Sequence, residues 1–201
     1  MIAILDYGSG NLHSAYRAFA QAHPDVIVTN DPDICSSADG LVVPGVGAYA
    51  ACMDQLFAAG AEKIIANRVA SARPLFGICV GMQIFFTEGK EKAATKGLGI
   101  WPGSVERLNS PILPHMGWNT VTSAPGSRLF SGVEDEHFYF VHSYGARVDV
   151  PNALNTICEY GGGFLAAVEA PHVVATQFHP EKSGAAGATL IRNWVDGWVA
   201  A

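Results

Sequence analysis

Arg73-Pro-Leu-Phe-Gly-Ile-Cys79-Val-Gly-Met-Gln83-Ile-Phe-Phe86 is the stretch that decides the fold. Its first apolar run, Leu75 to Ile78, reads as a buried strand, and its second, Val80 to Phe86, lacks proline and reads as a helix. Between them Cys79 is bracketed by Gly77 and Gly81. Small neighbours let a chain double back sharply, so the pattern predicts a strand–turn–helix elbow with the sulfur at its tip. Unpaired N–H groups at the start of a helix favour an anion there. The Val80 N–H is placed to donate to an oxyanion forming beside the sulfur. A small apolar cysteine in a buried corner is the plainer reading of the same residues.

A second stretch separates the two readings. Val173-Val-Ala-Thr-Gln-Phe178 is strand-like and runs into His179-Pro-Glu-Lys-Ser183. A sulfur nucleophile needs a base, and the base needs an orienting partner. His179 and Glu181 are two residues apart and share a face in extended chain. One imidazole nitrogen can then hold the carboxylate while the other faces the sulfur. Cys79, His179 and Glu181 are therefore the expected catalytic triad.

Outward from the elbow, strands alternate with helices: Met1–Leu5, then Asn11 to Ala22, Val26–Thr29, Leu41–Val43, Ala48–Phe57 and Glu62–Ser71. This alternation predicts a doubly wound α/β fold, its mostly parallel central sheet carrying helices on both faces. Gly8-x-Gly10 after the first strand lacks the third glycine of a dinucleotide fingerprint, since position 13 is His, and reads as a plain strand–helix turn. Pro44-Gly-Val-Gly47 closes the third strand, and its glycines allow backbone N–H groups, Gly47's among them, to point at a ligand. From Gly99 to Gln177 the runs are short, β-rich and cut by Gly and Pro, which predicts an antiparallel β extension of the sheet. Gly161-Gly-Gly163 reads as a hairpin tip. Residues 87–97 read as a long polar excursion, and Ala185–Trp198 as a closing helix with Ile191, Trp194, Val195 and Trp198 at core spacing.

The composition agrees with one globular domain over residues 1–201. The chain is 49% hydrophobic and 15% charged, enough for a large core. A net charge of −6 without a Lys/Arg run makes nucleic acid an unexpected partner. The apolar start stops at Asp6, and no later apolar run approaches ~20 residues, so neither a signal peptide nor a membrane span is expected. Four scattered cysteines without a C-x-x-C pair suggest free thiols in the cytoplasm and no metal site.

The cysteine elbow, Gly77-Ile-Cys-Val-Gly-Met-Gln83, together with Phe178-His-Pro-Glu-Lys-Ser183, resembles a class I (triad) glutamine amidotransferase domain. Within that class the chain is most similar to the glutaminase subunits of imidazole glycerol phosphate synthase. The closer likeness rests on Asp6-Tyr-Gly-Ser-Gly-Asn11, Pro44-Gly-Val-Gly47, Pro114-His-Met-Gly-Trp-Asn119 and Phe140-Val-His-Ser-Tyr144, in the order expected along nearly the whole chain. The resemblance implies glutamine as substrate, a Cys79 thioester, and ammonia delivered to a (β/α)₈-barrel cyclase subunit within a heterodimer, a step of histidine biosynthesis that needs no cofactor or metal. It also implies that Gln83, one helical turn from Cys79, holds the glutamine α-amino and carboxylate groups. Glu91 would meet the α-amino group, although Gly89-Lys90 departs from the family's usual acidic run. Backbone at Ser143 and Tyr144 would line the glutamine pocket. His115 and His142 lie in these motifs without an assigned proton-transfer role.

Asn11, Met116, Trp118 and Lys182 are the candidate partner-docking residues. Asn11 follows the glycine turn, Met116 and Trp118 form an apolar pair in a Pro/Gly-bounded loop, and Lys182 adjoins Glu181. The alternatives are the glutaminase of another amidotransferase, such as anthranilate synthase, a cysteine hydrolase of the wider elbow-cysteine α/β proteins, or a catalytically dead binding subunit.

Overall fold

The structure is a computed structural model that describes residues 1–200. Five strands form its parallel centre: β1 (Ile2–Leu5), β2 (Val26–Thr29), β3 (Gly40–Gly45), β4 (Leu75–Cys79) and, from far along the chain, β13 (Val173–Thr176). Helices α1 (Leu12–Ala22), α2 (Pro32–Ser37), α3 (Tyr49–Ala58) and α4 (Ala61–Ala70) connect the early strands. The spatial order of the main sheet is β11-β12-β13-β4-β3-β1-β2, where β11 (Leu154–Glu159) and β12 (Gly163–Glu169) add two antiparallel strands at one edge. The glycine hairpin tip joins them as expected, with Glu159 paired to Gly163.

Every residue of β1, β3, β4 and β13 is buried. Such unbroken apolar runs are what a parallel sheet covered on both faces requires. Helix α6 (Gly184–Trp194) seals one face through Leu190, Ile191 and Trp194, and Trp194 packs against Phe19 and Phe76 at ring separations of 5.8 and 5.2 Å. The chain then passes through a single π-helical turn, Val195–Val199.

Three expectations change. The helix after Cys79 is one turn, α5 (Val80–Gln83), and Phe86–Lys90 is a strand, β5. A short apolar run has no period to tell helix from strand, and here aromatic packing decides: Phe85 and Phe86 both sit edge-on to Trp101, at 5.5 and 5.4 Å. The polar excursion at 87–97 is accordingly a hairpin, with β6 (Ala94–Lys96) antiparallel to β5. The β-rich second half does not simply extend the main sheet. β7 (Trp101–Arg107) and β10 (Tyr144–Ala146) join β5 and β6 in a four-stranded sheet, while β8 (His115–Thr120) and β9 (His137–His142) form a separate two-stranded ribbon. Met116 and Trp118 thus stand on a strand and not in a loop. Helix α2 was not anticipated, although Asp31 caps it with two backbone N–H bonds and Pro32 opens it.

Candidate active site

The chain leaves β1 toward β2 on one side and β3 on the other, so a crevice opens at the C-terminal ends of these strands, where open α/β sheets place their ligands. A cavity of about 400 Å³ lies there. Its lining includes Asn11, Val46, Gly47, Cys79, Val80, Gln83, Glu91, Ser143, Tyr144, His179 and Lys182. Most of the expected site residues therefore converge on one space. Glu181 is not on the wall but stands behind His179, and Met116 and Trp118 lie outside.

The elbow is as tight as its glycines suggested. Cys79 adopts φ 56° and ψ −110°, a conformation that a side chain seldom takes. A Cβ at position 81 would overlap the Val43 carbonyl, which brings α5 directly against β3. Val80 lines the cavity directly after the sulfur, and Cys79 pairs in register with Gly45 of β3.

His179 follows β13 and Glu181 lies in a 3₁₀ turn, Pro180–Lys182. Their bond, His179 Nδ1 to Glu181 Oε1 at 2.7 Å, is made across that turn and not along an extended strand. Ser183 fixes the turn by donating to the His179 carbonyl. The other imidazole nitrogen, Nε2, is buried without a hydrogen-bond partner of strict geometry among the described residues. Catalytic bonds are often loose in an unliganded site. Burial pulls the His179 pKa down, but Cys79 and Glu181 outweigh it and raise it to about 10, so the ring is an imidazolium at neutral pH.

Gln83 donates its amide hydrogens to the Tyr144 carbonyl and to Gln177 Oε1, both at 2.9 Å. What it offers a ligand is its oxygen, an acceptor suited to an α-ammonium and not to a carboxylate. Glu91 is not a solvated loop charge, since its Oε2 accepts from the Tyr49 N–H at the start of α3 at 2.8 Å. Tyr144 donates its hydroxyl to the Glu91 carbonyl.

Two groups were missed. Gln177 is buried, accepts from Gln83 and directs its amide at Cys79 Sγ, 3.7 Å away. His115 and His142 form a buried pair whose tautomers follow from their partners. The Tyr144 carbonyl can only accept, so His142 Nδ1 carries the hydrogen at 2.8 Å, and its Nε2 accepts from His115 Nδ1 at 3.1 Å. His115 Nε2 then accepts from the Asn119 amide. Burial holds both rings neutral, lowering His115 to about 4 and His142 to about 3. No local sequence signal marks Gln177, whose partners are about a hundred residues away; the histidines did stand within recognised motifs.

The glutamine amidotransferase class-I family pattern matches residues 3–198. The chain belongs to this family. A Nocardia farcinica protein named imidazole glycerol phosphate synthase subunit HisH is 58% identical over 204 residues, covering 97% of each chain. Subunits of the same name from Mycobacterium tuberculosis H37Rv and Corynebacterium glutamicum are 56% and 52% identical, covering 98% and 97% of this chain and 97% of each relative. Among solved structures, a glutamine amidotransferase superposes with a TM-score of 0.79 at 18% identity, covering 100% of this chain and 99% of its own. PurLQS from Thermotoga maritima gives 0.68 at 18%, covering 98% and 97%. At that identity the likeness speaks for the shared fold. Among the described residues no helix is long and apolar enough to cross a membrane, no cluster of three or more metal-ligating side chains occurs, and all four cysteines are free.

Proposed function

We propose that this chain is the glutaminase subunit of an imidazole glycerol phosphate synthase, acting in the cytoplasm as one half of a heterodimer with a (β/α)₈-barrel cyclase. The observation that carries the chemistry is the 2.7 Å His179–Glu181 bond behind an elbow cysteine that opens on a cavity. The family of the HisH subunits, to which the chain is similar over nearly all its length, supports the choice of acceptor reaction.

The α-ammonium of glutamine meets Gln83 Oε1 and Glu91, with backbone at Ser143 and Tyr144 along its flank. Cys79 Sγ attacks the side-chain carbonyl carbon. The electron pair moves to oxygen, where the N–H groups of Val80 and Gly47 receive it. His179 gives its proton to the amide nitrogen as the C–N bond breaks, and ammonia leaves for the partner. Water then attacks the thioester and gives a proton to His179, and the sulfur departs, releasing glutamate and restoring the imidazolium. Glu181 keeps His179 in register and stabilises its charge.

Cys79→Ser in the assembled complex is expected to abolish glutamine-dependent product while synthesis from added ammonia survives, because the sulfur belongs to the donor site and not to the acceptor site. Equal loss of both activities in a folded, assembled variant would overturn the assignment.

A further inference from the structure

Gln177 is buried beside the sulfur, and the chemistry proposed above gives it no part. Its backbone is fixed, since the Gln177 N–H donates to the Ala166 carbonyl of β12 at 2.8 Å. Which way round its amide lies follows from a carbonyl at the far end of a short chain of bonds. The Tyr144 carbonyl can only accept, so Gln83 presents its NH₂ group there, at 2.9 Å. The same nitrogen lies 2.9 Å from the Gln177 side chain, which must therefore present its oxygen. That turns the Gln177 NH₂ group to Cys79 Sγ, 3.7 Å away. The reverse orientation would set two NH₂ groups against each other and a carbonyl oxygen against the sulfur. Among the described residues this is the only well-formed hydrogen bond to Cys79 Sγ, since His179 Nε2 makes none of strict geometry.

We propose that Gln177 is a further catalytic residue, donating an amide hydrogen to Cys79 Sγ whenever the sulfur carries negative charge. The sulfur holds that charge twice in the cycle. It does so as the thiolate before attack, and again when water has added to the thioester, the C–S bond breaks and the electron pair returns to sulfur. Between these points it is a neutral thioester, and the N–H has little charge to hold. A hydrogen bond to an ion is roughly twice as strong as one between neutral groups, and burial spares it competition from water. The bond therefore favours thiolate over thiol and, by the same preference, eases the departure of the sulfur in the second half of the reaction. Gln177 does this as a neutral donor that needs no proton of its own. Its oxygen meanwhile holds Gln83 from the other side, so the two ends of one amide have separable tasks.

This role rests on the reading of Cys79 as the glutaminase nucleophile, and the experiment keeps the two apart. Alkylation of Cys79 by iodoacetamide, read at the Cys79 peptide by mass, is followed against pH in the assembled complex without glutamine. Parent, Gln177→Glu and Gln177→Met are compared, with thermal unfolding as a check on folding; either folded variant suffices. The other titratable groups about the sulfur are the same in all three: His179, His142, Glu91 and Lys182 along the cavity, and Tyr7 and Cys52 on the interior side. Glu keeps an acceptor for Gln83 but sets a carboxylate oxygen against the sulfur, whereas Met fills the space and keeps neither donor nor amide oxygen. The acid midpoint of the alkylation curve is expected to rise by about one pH unit in Gln177→Met, a roughly tenfold slower reaction on the acid side, and by more in Gln177→Glu. In glutamine hydrolysis kcat should fall about tenfold in both, while KM should rise in Gln177→Met alone, because only there does Gln83 lose its acceptor. A midpoint and kcat matching the parent's would overturn the role. A raised KM with an unmoved midpoint would overturn it too, leaving Gln177 as a support for Gln83. If the midpoints move as expected while Cys79→Ser still hydrolyses glutamine, the bond to the charged sulfur is upheld and it is the assignment of the nucleophile that fails.

Discussion

Cys79 occupies a backbone conformation that costs on the order of 1–3 kcal/mol and is paid for by the packing of α5 on β3. In the proposed chemistry His179 is the residue whose charge state matters most. Its folded pKa is raised from 6.5 to about 10, so it contributes stability that is complete below pH 6.5 and is lost as pH rises through about 10. We expect the unfolding free energy to fall between pH 7 and 10 and to fall less steeply in His179→Gln, measured by urea unfolding at each pH. Parallel curves for parent and variant would show that the imidazolium is not held. His115 and His142 act in the opposite sense. Their folded pKa values lie below 6.5, so their contribution is present above pH 6.5 and is lost as pH falls toward 4 and 3. The meeting of Cys79, His179 and Glu181 was legible because Cys, His and Glu have few other reasons to stand at an elbow and at a strand end. Gln177 was not, because it meets the site through bonds to Gln83 and Cys79, both distant in sequence, and no local spacing encodes it.

At the scale of elements, the parallel half and the antiparallel edge strands β11 and β12 were readable, while the gathering of the other β-rich strands into separate sheets was not. Strands β1, β3 and β4 announce themselves by unbroken burial and by glycines at their ends. The one-turn α5 and strand β5 share one apolar run, and only Trp101, far along the chain, decides where helix gives way to strand. Ribbon β8–β9 was half seen, because β8 alternates in the reverse of the usual sense, with His115 and Asn119 turned inward and the apolar Met116 and Trp118 exposed. That ribbon reaches the cavity through the chain Asn119, His115, His142 and the Tyr144 carbonyl, onto which Gln83 also donates. His115 is stacked between Phe140 and Tyr160 at 4.7 and 4.0 Å, so phenylalanine can fill its space while breaking the relay. We expect His115→Phe to fold, to raise KM for glutamine several-fold through a loosened Tyr144 wall, and to leave kcat near the parent value. Steady-state kinetics on the complex checks this; a loss confined to kcat would place the relay on the sulfur side of the site.

At the scale of the whole molecule, two of its exposed apolar residues, Met116 and Trp118, stand where a partner would need them. Met116 and Trp118 point to the same side of β8 and are 62% and 57% exposed, so neither belongs to the core. Met116 pairs in register with Val141, which lines the cavity, and Trp118 packs edge-on to Tyr139 at 5.9 Å. The apolar pair therefore adjoins the cavity mouth, where Asn11 and Lys182 also stand. Ammonia released to water is protonated and lost to the acceptor reaction, so a docking face beside the mouth is the arrangement that channelling requires. Aromatic and methionine anchors dominate such faces, and truncating one often costs ~2 kcal/mol, about 30-fold in Kd. Trp118→Ala is expected to leave the isolated subunit folded, since the indole is not part of the core, and to weaken association with the proposed barrel subunit by that order. Asn11 already spends its side chain capping α1, accepting from Ser14 N at 3.2 Å, so its replacement should cost helix stability as well as any contact. Lys182 has no salt bridge among the described residues and is exposed on the rim one residue beyond Glu181. Lys182→Ala should therefore change coupling more than affinity, raising the ratio of glutamate formed to product formed. Calorimetric titration and that ratio test the pair together. An unchanged Kd for Trp118→Ala with an unchanged ratio for Lys182→Ala would move the docking face away from the cavity mouth and leave channelling through it without support.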